Sequence, residues 1–293
     1  MHILVTGATG YVGRSAALAL TADGHRVDAL TRDPGAERAV ELSDAGVRSV
    51  RGDLGDPASL TAAIRDVDAV LHTAFDADDH VGTDRALFGA LRTADQDGRH
   101  RHLVYTTGCS VYGPSDHPVL TESTPVDPDN RRARLEAELR ATGIPHTILR
   151  PAMVHGGDAR TSIVGRWFEA ARAGRPVHHG RRDKRWSWVH VDDVADAYRA
   201  VLRDPAAQAG KVFLLAEDQP VEPLAVLQAA ARTAGHRGAV SFAPIEDEIA
   251  TYRVFDHDEI VDATQARTHL GWTPGRPDVL AELSASYAAW SRA

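Results

Sequence analysis

The chain has 293 residues, with 33 Lys+Arg against 41 Asp+Glu, a net charge of −8, one cysteine and 43% hydrophobic residues, enough for one large α/β unit or two lobes. The negative balance and the lack of a Lys/Arg block exclude nucleic acid as an expected partner, and no apolar run approaches the ~18 residues of a membrane span. Cys109 alone can form neither an intrachain disulfide nor a cysteine-based zinc site, and no metal is expected.

Short apolar runs alternate with amphipathic stretches through the first half, the pattern of a doubly wound parallel α/β sheet. Strands are predicted at His2–Thr6, Arg26–Thr31, Val47–Gly52, Ala69–Ala74, His102–Thr107 and His146–Arg150. Helices are predicted over 11–23, 36–45, 57–65, 81–98 and 129–142, several stopped by glycines at 24, 46, 98 and 143. The start Met1–Gly7 reaches its first glycine too soon for the apolar core of a signal peptide, so a cytoplasmic protein is expected.

Beyond Pro151 the regularity loosens. A turn at Gly156-Gly157-Asp158 leads to a helix near 161–173, then to the basic, Trp-bearing stretch from Arg181 to Trp188. His190-Val191-Asp192-Asp193 follows, with an Asp placed to cap a helix Val194–Arg203. A strand at Lys211–Ala216 and a helix at 223–234 come next. These elements divide the chain into a dinucleotide-binding Rossmann domain over 1–150 and a smaller, mainly substrate-binding lobe over 151–293, with the strand near 211–216 returning to the sheet.

The strongest local signal is Gly7-Ala8-Thr9-Gly10-Tyr11-Val12-Gly13, which follows the first strand and opens the first helix. Gly7 permits the tight turn, Gly10 admits a pyrophosphate to the backbone, Gly13 allows close helix–strand packing, and the helix start offers free N–H groups to the anion. NAD-preferring folds place an acid at the end of the second strand, whereas an arginine there accommodates the 2′-phosphate of NADP. The sequence Leu30-Thr31-Arg32-Asp33 favours NADP, with NAD open if Asp33 turns inward.

With that motif in place the whole chain resembles the extended short-chain dehydrogenase/reductases, the NAD(P)-dependent epimerase/dehydratase family. The matching residues are Thr6 to Gly13, Gly52-Asp53-Leu54, His72-Thr73-Ala74, Ser110-Val111-Tyr112-Gly113, Leu149 to Gly156, His190 to Ala195, Val261-Asp262-Ala263 and Leu270 to Pro274. The resemblance implies that Asp53, beside Leu54, binds the adenine amino group and that His72, Thr73 and Ala74 line the phosphate–ribose stretch. It also implies that Thr106 belongs to the cofactor set, that Pro151, Met153 and Val154 cover the nicotinamide, and that a homodimer forms through the helices near 81–98 and 129–142. For single residues a packing or capping role stays open: Asp53 could cap the next helix and His72 could be a core histidine.

The family's proton chemistry rests on a Tyr-x-x-x-Lys pair after the fifth strand, with a Ser or Thr at that strand's end. That pair is absent. The residues four after each tyrosine are Ser15, Cys109, Asp116, Leu202, Asp256 and Ser291, and the chain's only lysines are Lys184 and Lys211, which leaves 31 arginines. Aligning Arg134-Leu135-Glu136-Ala137-Glu138 with the family's Lys-x-x-x-Glu puts Arg134 at the lysine, Asn130 at the tyrosine and Gly108 at the Ser/Thr. Asn130 cannot transfer a proton, and Arg134 cannot act as an acid near neutrality; Arg134 either clamps a ribose or substrate anion or pairs with Glu138.

His155 stands where the family often has tyrosine, just past the strand that covers the nicotinamide, and is the candidate proton donor. Thr107, Ser110 and Tyr112 could orient a carbonyl, and Asp76, Asp78, Asp79 and His80 cluster at the sheet's carboxyl edge. Trp186 and Trp188 with their arginines either rim a pocket or pack inside; Cys109 reads as a packed thiol and His190 as structural. The reading that follows is an NADP-dependent oxidoreductase acting on a small-molecule carbonyl, alcohol or imine with an atypical proton donor. The alternatives are a non-redox isomerase, lyase or cyclase, or a dinucleotide-sensing regulator of the NmrA type.

Overall fold

The computed structural model describes residues 1–245, 255–276 and 278–292. In chain order its elements begin β1 (His2–Thr6), α1 (Tyr11–Ala22), β2 (Arg26–Thr31), α2 (Glu37–Asp44), β3 (Arg48–Arg51), α3 (Pro57–Ile64), β4 (Ala69–His72), α4 (His80–Ala94) and β5 (His102–Thr106). They continue with α5 (Arg131–Ala141), β6 (His146–Pro151), β7 (Met153–His155), α6 (Ile163–Arg172), β8 (Val177–His179), β9 (Trp188–His190), α7 (Val191–Arg203), β10 (Val212–Leu215), α8 (Pro223–Thr233) and β11 (Ser241–Ala243). Two further helices, Thr264–His269 and Val279–Trp290, follow.

Among the described residues seven strands form one sheet in the order β10-β6-β5-β4-β1-β2-β3. The order reverses at β1, whose Leu4 sits opposite Asp28 of β2 on one side and Val70 of β4 on the other, in parallel register. Such a reversal between neighbouring parallel strands opens a crevice at their carboxyl ends. Helices cover both faces, so the strands are apolar on both sides: Ile3, Leu4, Val5, Val70, Leu71, Leu103 and Val104 are fully buried.

By internal contacts the chain forms two units, and their boundary is not a single cut near residue 150. The first comprises 1–107, 128–149 and 195–213; the second comprises 108–127, 150–194 and 214–293. The first is held by Leu60, Ile64, Leu87, Phe88 and Leu91 of α3 and α4 packed with Leu103, Tyr105 and Ile148 of the sheet, joined by Leu135 and Leu139 of α5. In the second, Trp167 and Phe168 pack with Trp186, Trp188, Val226, Leu227 and Leu283. Two small parallel sheets, β7 with β9 and β8 with β11, belong to this unit.

The helix expected to begin at Val194 under an Asp cap begins at Val191. Asp193 lies within its first turn, and its carboxylate accepts N–H bonds from Gly275 and Arg276 and pairs with the Arg276 guanidinium. Its partner is 82 residues distant in sequence, a contact that local capping rules do not contain.

Candidate functional site

The turn from β1 into α1 is built for the absence of side chains. Gly7 has φ of +74°, and a Cβ there would meet Ala74 N at 2.6 Å; at Gly13 it would meet Gly7 O at 2.2 Å and Thr73 Oγ1 at 2.4 Å. Gly10 donates its N–H to Gly7 O at 2.8 Å and stands as the N-cap of α1 without a side-chain cap. The first-turn N–H groups of α1 thus have no capping side chain before them, and the positive end of the helix is available to an anion. Thr73 secures the floor, its N–H and Oγ1 both bonding Thr6 O. Thr9, Tyr11 and Val12 occupy this turn and its helix start, and Ala74 closes against Gly7.

At the end of β2 an acid serves its own turn beside two arginines. One oxygen of Asp33 accepts the Gly35 N–H at 3.0 Å, and the Asp33 N–H donates to Thr31 Oγ1 at 3.2 Å, so Asp33 serves its own turn. Arg32 is exposed, and its backbone carbonyl accepts from Arg51 Nη1. Arg38 donates from Nη1 to Thr9 O at 3.2 Å, which brings a second guanidinium onto the glycine turn. Asp53 is exposed, with one oxygen accepting from Gly55 N, while Leu54 packs against the core. The helix after it is capped by Asp56, not Asp53.

Below the sheet's carboxyl edge lies a buried polar chain. Thr6 Oγ1 and His72 Nδ1 are 2.7 Å apart, His72 Nε2 and Asp84 Oδ1 are 3.0 Å apart, and the Tyr105 hydroxyl donates to the other Asp84 oxygen. The His72 and Tyr105 rings stack with centroids 5.5 Å apart. His72 is therefore a satisfied core histidine. Burial pushes the Asp84 carboxyl up, but the bond from His72, its charge, the Tyr105 bond and the charge of Arg132 together hold it below the usual carboxylate range. Burial raises the Tyr105 phenol, as does the neighbouring Asp84. Thr106 turns its hydroxyl to that of Tyr198 at 2.8 Å.

Helix α5 corrects two assignments. Asn130 is its N-cap: the side-chain oxygen accepts the N–H groups of Arg132 at 2.9 Å and Ala133 at 3.3 Å. Arg134 lies on the exposed face, where it bonds the carbonyls of Pro128 and Asp129 and pairs with the Asp129 carboxylate at 3.1 Å. It is not paired with Glu138, which is held by Arg85 of α4. The face turned to the end of β5 carries Arg132 and Glu136 instead. Arg132 donates from Nη1 to Thr107 O at 2.7 Å, and Glu136, fully buried, accepts the Thr107 hydroxyl at 2.7 Å. The Arg132 guanidinium lies over the ring of Phe75, 4.8 Å from its centroid.

In the second unit the remaining candidates are mostly committed to packing. Tyr112 is buried; its hydroxyl donates to Thr121 O and accepts from Arg150 Nη1, both at 2.7 Å, and burial pushes its phenol well above the usual range. Together with Thr107, whose hydroxyl proton goes to Glu136, Tyr112 is thereby removed as a free donor for a carbonyl. Ser110 is half-buried in the short helix Cys109–Tyr112, and the Cys109 thiol packs inside, donating to Arg150 O. Gly108 has φ of +152°, where a side chain would be strained, so this backbone excludes the family's Ser or Thr.

Pro151 is buried and Met153 and Val154 are half-buried, the latter two in β7 opposite Trp188 and Val189 of β9. His155 ends β7 fully buried, its Nε2 hydrogen-bonded to Glu217 Oε1, with Nδ1 and Glu217 Oε2 lacking partners among the described residues. His190 Nδ1 accepts the Asp192 N–H, as a structural histidine does. Trp186 and Trp188 are 2% and 0% exposed, so they are core and not the rim of a pocket. In the loop after β4, Asp76 accepts the N–H groups of Asp78 and Asp79, and Asp79 caps α4.

The model of the family described as NAD dependent epimerase/dehydratase matches residues 3–216. The chain belongs to this family. A 2-alkyl-3-oxoalkanoate reductase of Stenotrophomonas maltophilia is 31% identical over 248 residues, which cover 75% of this chain and 72% of the reductase. A UDP-glucose 4-epimerase of Corynebacterium glutamicum is 24% identical over 319 residues, covering 95% and 92%. Among solved structures the Thermus thermophilus UDP-glucose 4-epimerase in complex with NAD superposes with a TM-score of 0.80 at 21% identity, over 99% of both chains.

In this epimerase/dehydratase family member the glycine turn follows β1, and α5 carries Arg132 and Glu136 on its inner face. Arg132, Glu136, Asp84, Arg38 and Glu217 escaped the sequence reading. The signal for the first two was present in the period of α5: Ala133, Leu135, Glu136 and Leu139 are its buried positions, and a 3.6-residue repeat through the leucines puts 134 and 138 on the opposite face. Among the described residues no helix is long and apolar enough to cross a membrane, and no group of His, Cys, Asp and Glu is placed to hold a metal.

Proposed function

We propose that the protein is an NADP-dependent oxidoreductase that interconverts a small-molecule carbonyl or imine with its reduced form. The observation that carries the cofactor choice is the end of β2: Thr31 stands where an acid would take the ribose hydroxyls and Arg32 follows it, Arg38 reaches Thr9 O on the glycine turn, and Asp33 gives one oxygen to Gly35. A 2′-phosphate is favoured by such a pair of guanidinium groups, whereas the acid beside them, Asp33, spends one oxygen on its own turn. The Thermus neighbour was solved with NAD, and the arginines are the reason for assigning this chain otherwise. A reductase among the more similar relatives supports the reaction class.

The glycine cradle fits the pyrophosphate of a dinucleotide: packing at Gly7 and Gly13 that no Cβ would permit holds the uncapped start of α1 close against the ends of β1 and β4. Bound there, the nicotinamide supplies hydride donation or acceptance. The first-turn N–H groups of α1 would hold the pyrophosphate, and Arg32 with Arg38 the 2′-phosphate. For the proton we assign His155: Glu217 bonds Nε2 and fixes the ring, leaving Nδ1 as its uncommitted nitrogen.

Fluorescence titration tests the cofactor assignment. NADPH should bind at least ~10-fold more tightly than NADH, and Arg32→Ala with Arg38→Ala should abolish that preference without weakening NADH. Equal affinity in the parent protein would refute it. For the proton, His155→Asn should lower kcat by about 100-fold or more with cofactor affinity unchanged; a kcat near that of the parent would exclude His155.

A further inference from the structure

Arg132 is a half-buried cation without a counter-ion. Of its five N–H donors one is bonded, Nη1 to Thr107 O, and it forms no ion pair among the described residues. The carboxylate it feels most is Asp84, but both Asp84 oxygens are already taken, by His72 and Tyr105. Glu136, one turn along the same face, gives its oxygens to Thr107 and Arg140. Burial lowers the affinity of Arg132 for its proton, opposed by Tyr105 and Asp84, and the group nevertheless stays a cation near neutrality.

A guanidinium partly withdrawn from water gains from an anion and further hydrogen bonds on its free donors. Elsewhere Arg48, Arg85, Arg199 and Arg276 each meet a carboxylate directly. Arg132 instead is braced by Phe75, which covers one face of its plane while itself remaining 56% exposed, and by the Thr107 carbonyl at one nitrogen. That bracing limits the side chain's rotamers before any ligand arrives, so less order is lost when the remaining donors are used. The position is at the carboxyl end of β5, the edge at which ligands of such sheets bind.

We infer that Arg132 anchors a carboxylate of the substrate, so that the carbonyl compound is an oxo acid. A carboxylate matches the planar donor edge of a guanidinium in shape. Its single charge suits one cation that already shares a nitrogen with Thr107 O and stands near the negative Asp84, which would repel a phosphate dianion more strongly than a carboxylate. The inference rests on the carbonyl reading above, and binding measurements keep the two separable.

The test is isothermal titration of the intact protein, with and without saturating NADP⁺, using acetoacetate and methyl acetoacetate as probes, on the parent, Arg132→Met, Arg132→Lys and the surface control Arg134→Met. Acetoacetate should bind the parent about 10-fold or more tightly than its ester. Arg132→Met should erase that preference, Arg132→Lys should retain part of it, and Arg134→Met all of it, with NADPH affinity within about threefold throughout. Loss of NADPH affinity in both Arg132 variants with the acid preference intact would overturn the inference and make Arg132 a cofactor clamp. No preference for the acid in the parent would also overturn it, whatever the folding of the variants. An Arg132-dependent acid site in a protein that binds neither NADPH nor NADH would leave the anchor standing and refute the oxidoreductase reading.

Discussion

The glycine turn at residues 7–13 and the first turns of α5 both serve the carboxyl edge of the sheet, and they encode their role differently. At the turn the constraint is steric: a Cβ at Gly13 would come within 2.2 Å of Gly7 O, so residue type alone declares the geometry. On α5 the constraint is orientational. Arg132 and Arg134 are the same residue two positions apart, yet one is half-buried against Thr107 and the other pairs with Asp129 in solvent. Two residues along a helix rotate a side chain by about 200°, so a motif alignment slipped by two selects the wrong face while keeping the right residue type.

The largest effect is expected at the turn: Gly13→Val should reduce NADPH affinity by more than about 100-fold, because the helix must retreat from β1 before the side chain fits. Retained affinity in a titration would mean that the turn is not the pyrophosphate site.

The two glutamates of α5 should separate next. Glu136→Ala removes a fully buried acceptor of Thr107 and should cost about 2–4 kcal/mol in denaturant unfolding, whereas Glu138→Ala breaks a surface pair and should cost under ~1 kcal/mol. Similar costs would show that the inner face is no more committed than the outer.

Glu259 offers the opposite case in the second unit, a buried carboxyl whose Oε2 has no partner among the described residues. Burial pushes it up to about 8. Raised above its unfolded value near 4.5, it favours the folded state in its neutral form; its stability contribution is full below about pH 4.5 and declines until about pH 8. Glu259→Gln should remove that decline and, by about pH 8, leave the protein more stable than the parent by a few kcal/mol. Parallel pH–stability curves would contradict the assignment.

The smallest effects belong to the displaced candidates. Asn130→Ala should cost about 1 kcal/mol as a lost cap, and Arg134→Ala under ~0.5 kcal/mol, both leaving cofactor affinity unchanged.

Much of the first unit was legible because parallel strands buried on both faces read as apolar runs. β1 and β2 run over His2–Thr6 and Arg26–Thr31, as their sequences predict, and the next strands and helices differ by a few residues at their ends. The 3-residue strands of β7, β8, β9 and β11 were not legible, since three residues carry too little alternation to signal a strand. Neither was the fate of the Trp pair: Trp-Ser-Trp spacing suits a rim or a core, and only the packing with Trp167, Val226 and Leu227 decides for the core. Glu217 was invisible for a related reason, as its bond to His155 spans 62 residues.

The most direct test is a crystal structure with NADP⁺ bound. The pyrophosphate should lie on the N–H groups at Gly10–Val12, the 2′-phosphate within hydrogen-bonding distance of Arg32 or Arg38, and the free donor edge of Arg132 should carry no cofactor oxygen. A 2′-phosphate without a guanidinium contact, or an Arg132 fully bonded to the nicotinamide ribose, would contradict this arrangement.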